Sequence, residues 1–440
     1  MVRSRAIWAL LLVTVVAGTM IVLREGATET SARSVTSSSS GSPATPPASR
    51  ADAAGASSAP PVAHPSRLAI SHGPLELRID RTRRVADGVY VHEVVEPAGP
   101  NQLRVLEVDP STPATLELAG AGPSYPHLAP TSRIADRGGA LAGVNGEFFT
   151  VPGRPEFLFQ SDGTLWQTAL HDSNMFAISE DEERIYIRRI SPSISVSGGG
   201  SNLRVTNWNT VDPVGREVSG YTPIGGSVAV PPAHACYVEL AHESGPSWAA
   251  GRTATSRSYV VSSSSCGTHP PSLRGRIDVV LAADAGSAGA QDLSRFRSGD
   301  RVQAQWSVGL PGVLDIAGGQ PVLVKDGRSI VPRKCDTSFC ASQPRIAVGY
   351  TEDGRVLIAT VDGRQAGWSV GMPLRRWAQA FVQMGAEGVL NLDGGGSTTM
   401  WVRGEGVVNR PSNAGHRQRR VGTALLVLPG EDTDVPTSLR

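Results

Sequence analysis

Beyond about residue 67 the chain alternates short apolar runs with clusters of Gly, Pro, Asp and Ser, the pattern of strands separated by turns. The runs Leu75–Ile79, Gly88–Val95, Leu103–Val108, Ala114–Leu118, Met175–Ile178 and Arg184–Ile190 predict strands in the first half. Tyr259–Val261, Val279–Ala282, Arg301–Val308, Pro321–Val324, Arg345–Tyr350, Val356–Val361, Val389–Leu392 and Thr423–Leu428 predict more in the second. Asp353–Gly354 falls between two of these runs and reads as a hairpin turn. One segment breaks the pattern. Pro373 suits a first helical position, and Leu374, Trp377, Ala378, Phe381 and Met384 recur at three- and four-residue steps. A helix is expected there, ended by Gly385 or Gly388. Strand, helix and the next strand make a β-α-β segment, with Asp393 at the C-terminal edge of its last strand, where an open sheet places ligands. Residues 191–275, rich in Ser, Gly and Pro, are either an irregular excursion or a small-stranded insertion. With no internal repeat and no second linker, the expected architecture is α+β: one mixed, β-rich domain with few helices over residues 67–430.

The N-terminus follows different rules. In residues 1–25, Arg3 and Arg5 precede an uncharged, mostly apolar run, Ile7–Leu23, which reads as a signal peptide or a signal anchor. Either would send the rest of the chain outside the cytoplasm, membrane-anchored or secreted. Residues 26–66, rich in Ser, Ala and Pro, cannot bury enough apolar surface to fold and read as a disordered linker. Over all 440 residues, 49 Gly and 32 Pro favour turns over long helices, and a net charge of +1 gives no field to attract nucleic acid. Four cysteines in an extracytoplasmic chain favour disulfides. The pairs Cys236–Cys266 and Cys335–Cys340 are expected because each closes a local, turn-rich loop. A zinc site is the rival, without Cys-x-x-Cys to support it.

The chemistry gathers near the C-terminus. Asn391–Leu392–Asp393 leads into Gly394, Gly395 and Gly396, then Ser397, Thr398 and Thr399. Three glycines allow peptide N–H groups to converge on an anion, and Asp393 could serve as base, nucleophile or metal ligand. No lysine follows the glycines, which removes the nucleotide-binding P-loop. Position 399 is Thr rather than Gly, which removes the serine-hydrolase elbow. Arg345 and Arg364, the latter closing Asp362–Gly363–Arg364, are residues that match a phosphate with paired hydrogen bonds. Val144–Asn145–Gly146–Glu147–Phe148–Phe149 adds an amide and a carboxylate that two aromatics could desolvate. Gly318–Gly319 could line a cleft.

Taken in order, Asn145–Phe149, Gly318–Gly327, Pro344–Gly349, Val361–Arg364, Asn391–Met400 and Val407–Ser412 resemble the motifs of the phosphodiester glycosidase family over about residues 140–428. Departures from the family pattern are Glu147 in place of a small residue, Gln343 in place of His and Ile346 in place of Thr. The resemblance implies hydrolysis of a sugar-1-phosphodiester at the anomeric carbon. A phosphomonoester leaves more readily than a sugar alkoxide, so positive charge matters more than a general acid. Arg345 and Arg364 are expected to hold the phosphate, and Asp393 to act on the sugar with Asp362 or Glu147 as partner. Asn145, Gly318, Gly319, Asn391, Gly394–Gly396, Ser397 and Thr398 are expected to position the ligand. The expected partners are a carbohydrate phosphodiester and, if the N-terminal segment is uncleaved, a membrane. No cofactor is expected, with a divalent cation possible. Two other classes stay open: a non-catalytic binder of phosphate-linked or acidic polysaccharide, and a metal-dependent phosphodiesterase with Asp393 and Asp362 as ligands.

Overall fold

The computed structural model describes residues 64–150, 152–169, 173–181, 184–210, 217–243 and 256–430. The N-terminal apolar run and nearly all of the Ser/Ala/Pro-rich stretch lie outside them. The last residues of that stretch are already tied down: the His64 amide donates to Asp87 and Ser66 Oγ to Glu107, at 2.9 and 2.7 Å.

The architecture is α+β and β-rich. Its centre is an eight-stranded sheet in the order Arg78–Ala86, Val89–Glu96, Asn101–Val108, Val356–Val361, Arg345–Thr351, Ala386–Asn391, Val322–Lys325, Arg328–Ser329, every neighbour antiparallel. The central strands read as nearly unbroken apolar runs because both faces are covered. Ile346, Val348 and Ile358 pack against Val144, Met400 and Leu425 from a five-stranded sheet, and against Phe176 and Ala317 from another. Ala347, Leu357, Ala359 and Val361 face the other way, onto Leu374, Trp377, Ala378 and Phe381.

Those last four residues belong to the helix Leu374–Gln383, with Pro373 at its N-cap. Gly385 follows in the left-handed region at φ +82°, and its N–H donates to the Val382 carbonyl, which ends the helix. The helix connects Val356–Val361 to Ala386–Asn391. These two strands flank Arg345–Thr351, each antiparallel to it. The expected β-α-β segment is therefore present, with its two parallel strands separated by a third that runs against them. The Asp353–Gly354 hairpin also forms, with Gly354 at φ +84°.

The serine-rich middle is a small-stranded insertion. Ser193–Gly198, Ser201–Val205, Asn207–Trp208, Ser219–Tyr221, Ala235–His242, Ser256–Gly267, Ile277–Asp284 and Arg301–Ser307 form a second eight-stranded sheet. It leaves and rejoins the core through Ile185–Arg189 and Val313–Gly319, which flank Asn174–Ser179 on either side. Both expected disulfides are present: Cys236–Cys266 joins adjacent strands of the insertion, and Cys335–Cys340 closes a loop before Arg345.

Candidate active site

The six sequence motifs meet where the central strands end. Val361 pairs with Arg345, and Ala347 with Asn391, so Asp362, Pro344 and Leu392–Asp393 leave the sheet side by side. From the neighbouring sheet Asn145 arrives as the last residue of Ala142–Asn145. Its amide spans the glycine turn. Nδ2 donates to the Asp393 carbonyl at 2.7 Å, and Oδ1 accepts the Thr399 N–H at 3.0 Å. One side chain thus holds both ends of the turn, which requires a donor and an acceptor together.

Inside that span each glycine is pressed by a neighbour. A Cβ on Gly394 would lie 2.7 Å from the Pro344 carbonyl oxygen. Gly395 has φ +60°, and its Cβ would lie 3.2 Å from Arg364 Nη2. A Cβ on Gly396 would meet Arg419 Nη2 at 2.4 Å. The glycines therefore let two guanidinium groups, from Arg364 and Arg419, lie against the turn. Arg364 is exposed, its Nε donates to Gln343 Oε1 at 2.8 Å, and its backbone sits at φ +60°. For an arginine that left-handed conformation costs about 1 kcal/mol or more, the kind of local strain that gathers at working sites. Arg419 Nη1 donates to Ser397 Oγ at 3.3 Å.

The Asp393 carboxyl lies within electrostatic range of Arg419. Burial pushes its carboxyl up to about 6, against the opposing pull of a Ser397 hydrogen bond and the Arg419 charge. Glu147 is 2% exposed; Oε2 accepts the Gly318 N–H at 2.6 Å, while Oε1 is buried without a hydrogen-bond partner. Burial raises its carboxyl well above the usual range, the Gly318 bond opposes this, and Glu156 adds to it. Burial thus favours the protonated form of Glu147. Its bond to Gly318 also fixes the cleft edge, where Gly319 lies against the Asn391 carbonyl. Asn391 Nδ2 donates to the Gln320 carbonyl at 2.9 Å and leaves Oδ1 buried and unpaired. The Thr398 and Thr399 hydroxyls are likewise buried without partners.

Two residues sit differently from the expected roles. Arg345 is 3% exposed, and its fork points at backbone: Nε to the Met372 carbonyl at 3.0 Å, Nη2 to the Phe339 and Ala341 carbonyls at 2.6 Å each. Burial first, and the Arg364 charge second, bring its pKa down to about 10. It anchors the disulfide loop. Asp362 has both oxygens occupied, by Trp368 Nε1, Asn409 Nδ2 and the Arg410 N–H, all at 3.0 Å. Burial raises its pKa, and these bonds oppose the rise. Through Asn409, which also donates to the Thr398 carbonyl at 3.2 Å, Asp362 braces the far side of the glycine turn. Among the described residues no group of three or more His, Cys, Asp or Glu is placed to hold a metal ion.

Arg419 and Glu156 went unread in the sequence. Arg419 lies in an arginine-rich, strandless stretch that looks like ordinary surface, and no spacing rule links it to Ser397. Glu156 is recognisable only once folding brings it into electrostatic range of both Asp393 and Glu147.

Two solved structures share the fold. One is a hypothetical protein from Synechocystis, 20% identical with a TM-score of 0.62, covering 81% of this chain and 64% of its own. This chain therefore spans just under two thirds of that protein. The other is a putative exported protein from Burkholderia pseudomallei, 22% identical with a TM-score of 0.55, covering 78% of this chain and 76% of its own. The catalytic domain of zebrafish N-acetylglucosamine-1-phosphodiester α-N-acetylglucosaminidase, auto-inhibited by its pro-peptide, aligns at 14% identity and a TM-score of 0.40, over 83% of this chain and 88% of its own. No curated protein matches the chain. Residues 272–428 match the phosphodiester glycosidase family model; the Asn145 motif lies before the matched segment. The stretch that carries Arg345, Asp362, Arg364, the Asp393 glycine turn and Arg419 lies inside the segment that matches the phosphodiester glycosidase family model.

Proposed function

We propose that the chain is an extracytoplasmic hydrolase that cleaves the bond between an anomeric carbon and a phosphate oxygen in a sugar-1-phosphodiester of an envelope or exopolysaccharide glycan. The observation that carries this reading is the Asp393 carboxyl, raised to about 6, on a glycine turn flanked by the Arg364 and Arg419 guanidiniums. The two arginines favour the charge that grows on the departing phosphate. Asp393, ionised above about pH 6, takes a proton from water as the water oxygen bonds to the anomeric carbon, or bonds to that carbon itself as an ester that water then hydrolyses at the same carbon. The electrons of the broken carbon–oxygen bond leave with the phosphomonoester, which needs little protonation to depart. Asn145 and the Gly394–Gly396 backbone hold the turn in place around the ligand. Glu147, buried and bonded to the Gly318 N–H, serves as a positioning group.

The two disulfides support a location outside the cytoplasm, as do the N-terminal apolar run and the likeness to a putative exported protein. The test is hydrolysis of a sugar-1-phosphodiester in oxygen-18 water. Label on the sugar C1 hydroxyl is expected. Label on phosphate would mean cleavage at phosphorus and would overturn the assignment.

A further inference from the structure

We infer that Phe339 is a specificity-determining residue: an exposed aromatic platform, seated on Phe148 and Arg345, that stacks against the apolar face of the substrate's pyranose ring. This deepens, and rests on, the reading of the site as one for a sugar-1-phosphodiester.

Phe339 is 40% exposed, and it is the one aromatic among the markedly exposed large apolar residues of the described chain. It is also held in place. Its ring lies 6.4 Å from that of Phe148, which follows Glu147 directly, and the Arg345 Cζ sits 5.4 Å from its centroid. Its carbonyl accepts from Arg345 Nη2, and the Cys335–Cys340 disulfide closes the loop around it. An apolar ring left in water at a loop tip normally keeps its rotamer freedom. Here a cation, a second ring and a covalent staple remove that freedom in advance, which is what a stacking surface needs to bind without ordering cost.

The platform also lies beside the anion site. Gln343, three residues past Cys340, accepts from Arg364 Nε, and Pro344 accepts the Gly395 N–H at 2.8 Å. A sugar whose phosphate rests on Arg364 and the glycine turn would present its ring to the loop that carries Phe339. The contact would reward a ring with an apolar C–H face and add nothing for phosphate alone.

The test compares wild type, Phe339→Ala and Phe339→Trp in the full chain, measuring affinity for glucose 1-phosphate, N-acetylglucosamine 1-phosphate and inorganic phosphate, with thermal unfolding alongside. Phe339→Ala should weaken both sugar phosphates about five- to tenfold and leave inorganic phosphate unchanged. Phe339→Trp should retain affinity and gain a ligand-dependent fluorescence change. Equal losses for all three ligands, or sugar-phosphate affinity unchanged in Phe339→Ala, would overturn the platform. So would a wild type that retains neither sugar phosphate. Turnover of a sugar-1-phosphodiester, assayed separately, reports on the hydrolase reading: binding that depends on Phe339 without turnover would sink hydrolysis and spare the platform.

Discussion

Asp393 meets two opposed demands. Burial makes its charge costly, and the proposed reaction needs that charge. A carboxyl shifted from 3.8 to about 6 favours the proton in the folded state. Its contribution to stability therefore falls as pH rises from about 4 to about 6, and stays low above. Asp393→Asn should abolish turnover and at pH 8 raise stability by about 1–3 kcal/mol, read as a higher Tm. A variant that loses both activity and stability would argue against this account. For wild type, kcat/KM should climb with pH through about 6, and a profile flat across that range would argue against Asp393 as the ionising group. The arginines separate at the same scale. Arg364→Ala and Arg419→Ala, both at exposed side chains, should lower kcat/KM for a phosphodiester roughly tenfold or more while Tm stays within a degree or two. Arg345→Ala should instead leave three backbone carbonyls without their donor, and lower stability by about 2–4 kcal/mol in urea unfolding.

At the scale of elements, the strands were legible in proportion to their burial. Arg345–Thr351 and Val356–Val361 are sandwiched, so their apolar runs stand out. Leu374–Gln383 was legible because one stripe of it faces the sheet. The two-residue strands Phe149–Thr150 and Arg154–Pro155 are set by tertiary pairing and carry no periodicity to find. The same holds for roles in the site. The glycines and Asp393 announce themselves, because a turn without side chains beside a carboxylate is rare as mere scaffold. Arginine type alone does not say whether a fork meets ligand or backbone, and Arg345 meets backbone. Asp362 shows the related case of a carboxylate that works through other residues. Asp362→Ala should remove the acceptor of Trp368, Asn409 and Arg410 together and loosen the turn that Asn409 braces. Faster amide exchange at Thr398 and Met400 would report that loosening; exchange at the wild-type rate would show the brace to be dispensable.

For the whole molecule, a second buried charge cluster ties residues 66 and 67 to the strand Asn101–Val108. Glu107 is buried, which alone would raise its pKa, but hydrogen bonds from His92, Ser66, Arg67 and Arg355 outweigh this and hold it near 2. That stabilisation is complete above about pH 4.5 and is lost as pH falls toward 2. Glu107→Gln should cost up to about 3 kcal/mol at neutral pH and flatten the acid limb of the stability curve.

The amide of Asn145 grips residues 248 and 254 positions further along the chain, and Glu147 waits for a partner 171 positions away. Synthesis runs from the N-terminus at about 5–20 residues per second, so the first half of the site exists for roughly 10–50 s before the second half has been made. Contacts of such long sequence separation also form late and slowly in folding. A nascent chain that stops short of Thr399 cannot carry the assembled turn. Until those residues are made, Asn145 and Glu147 stand without the partners that hold them in the folded chain.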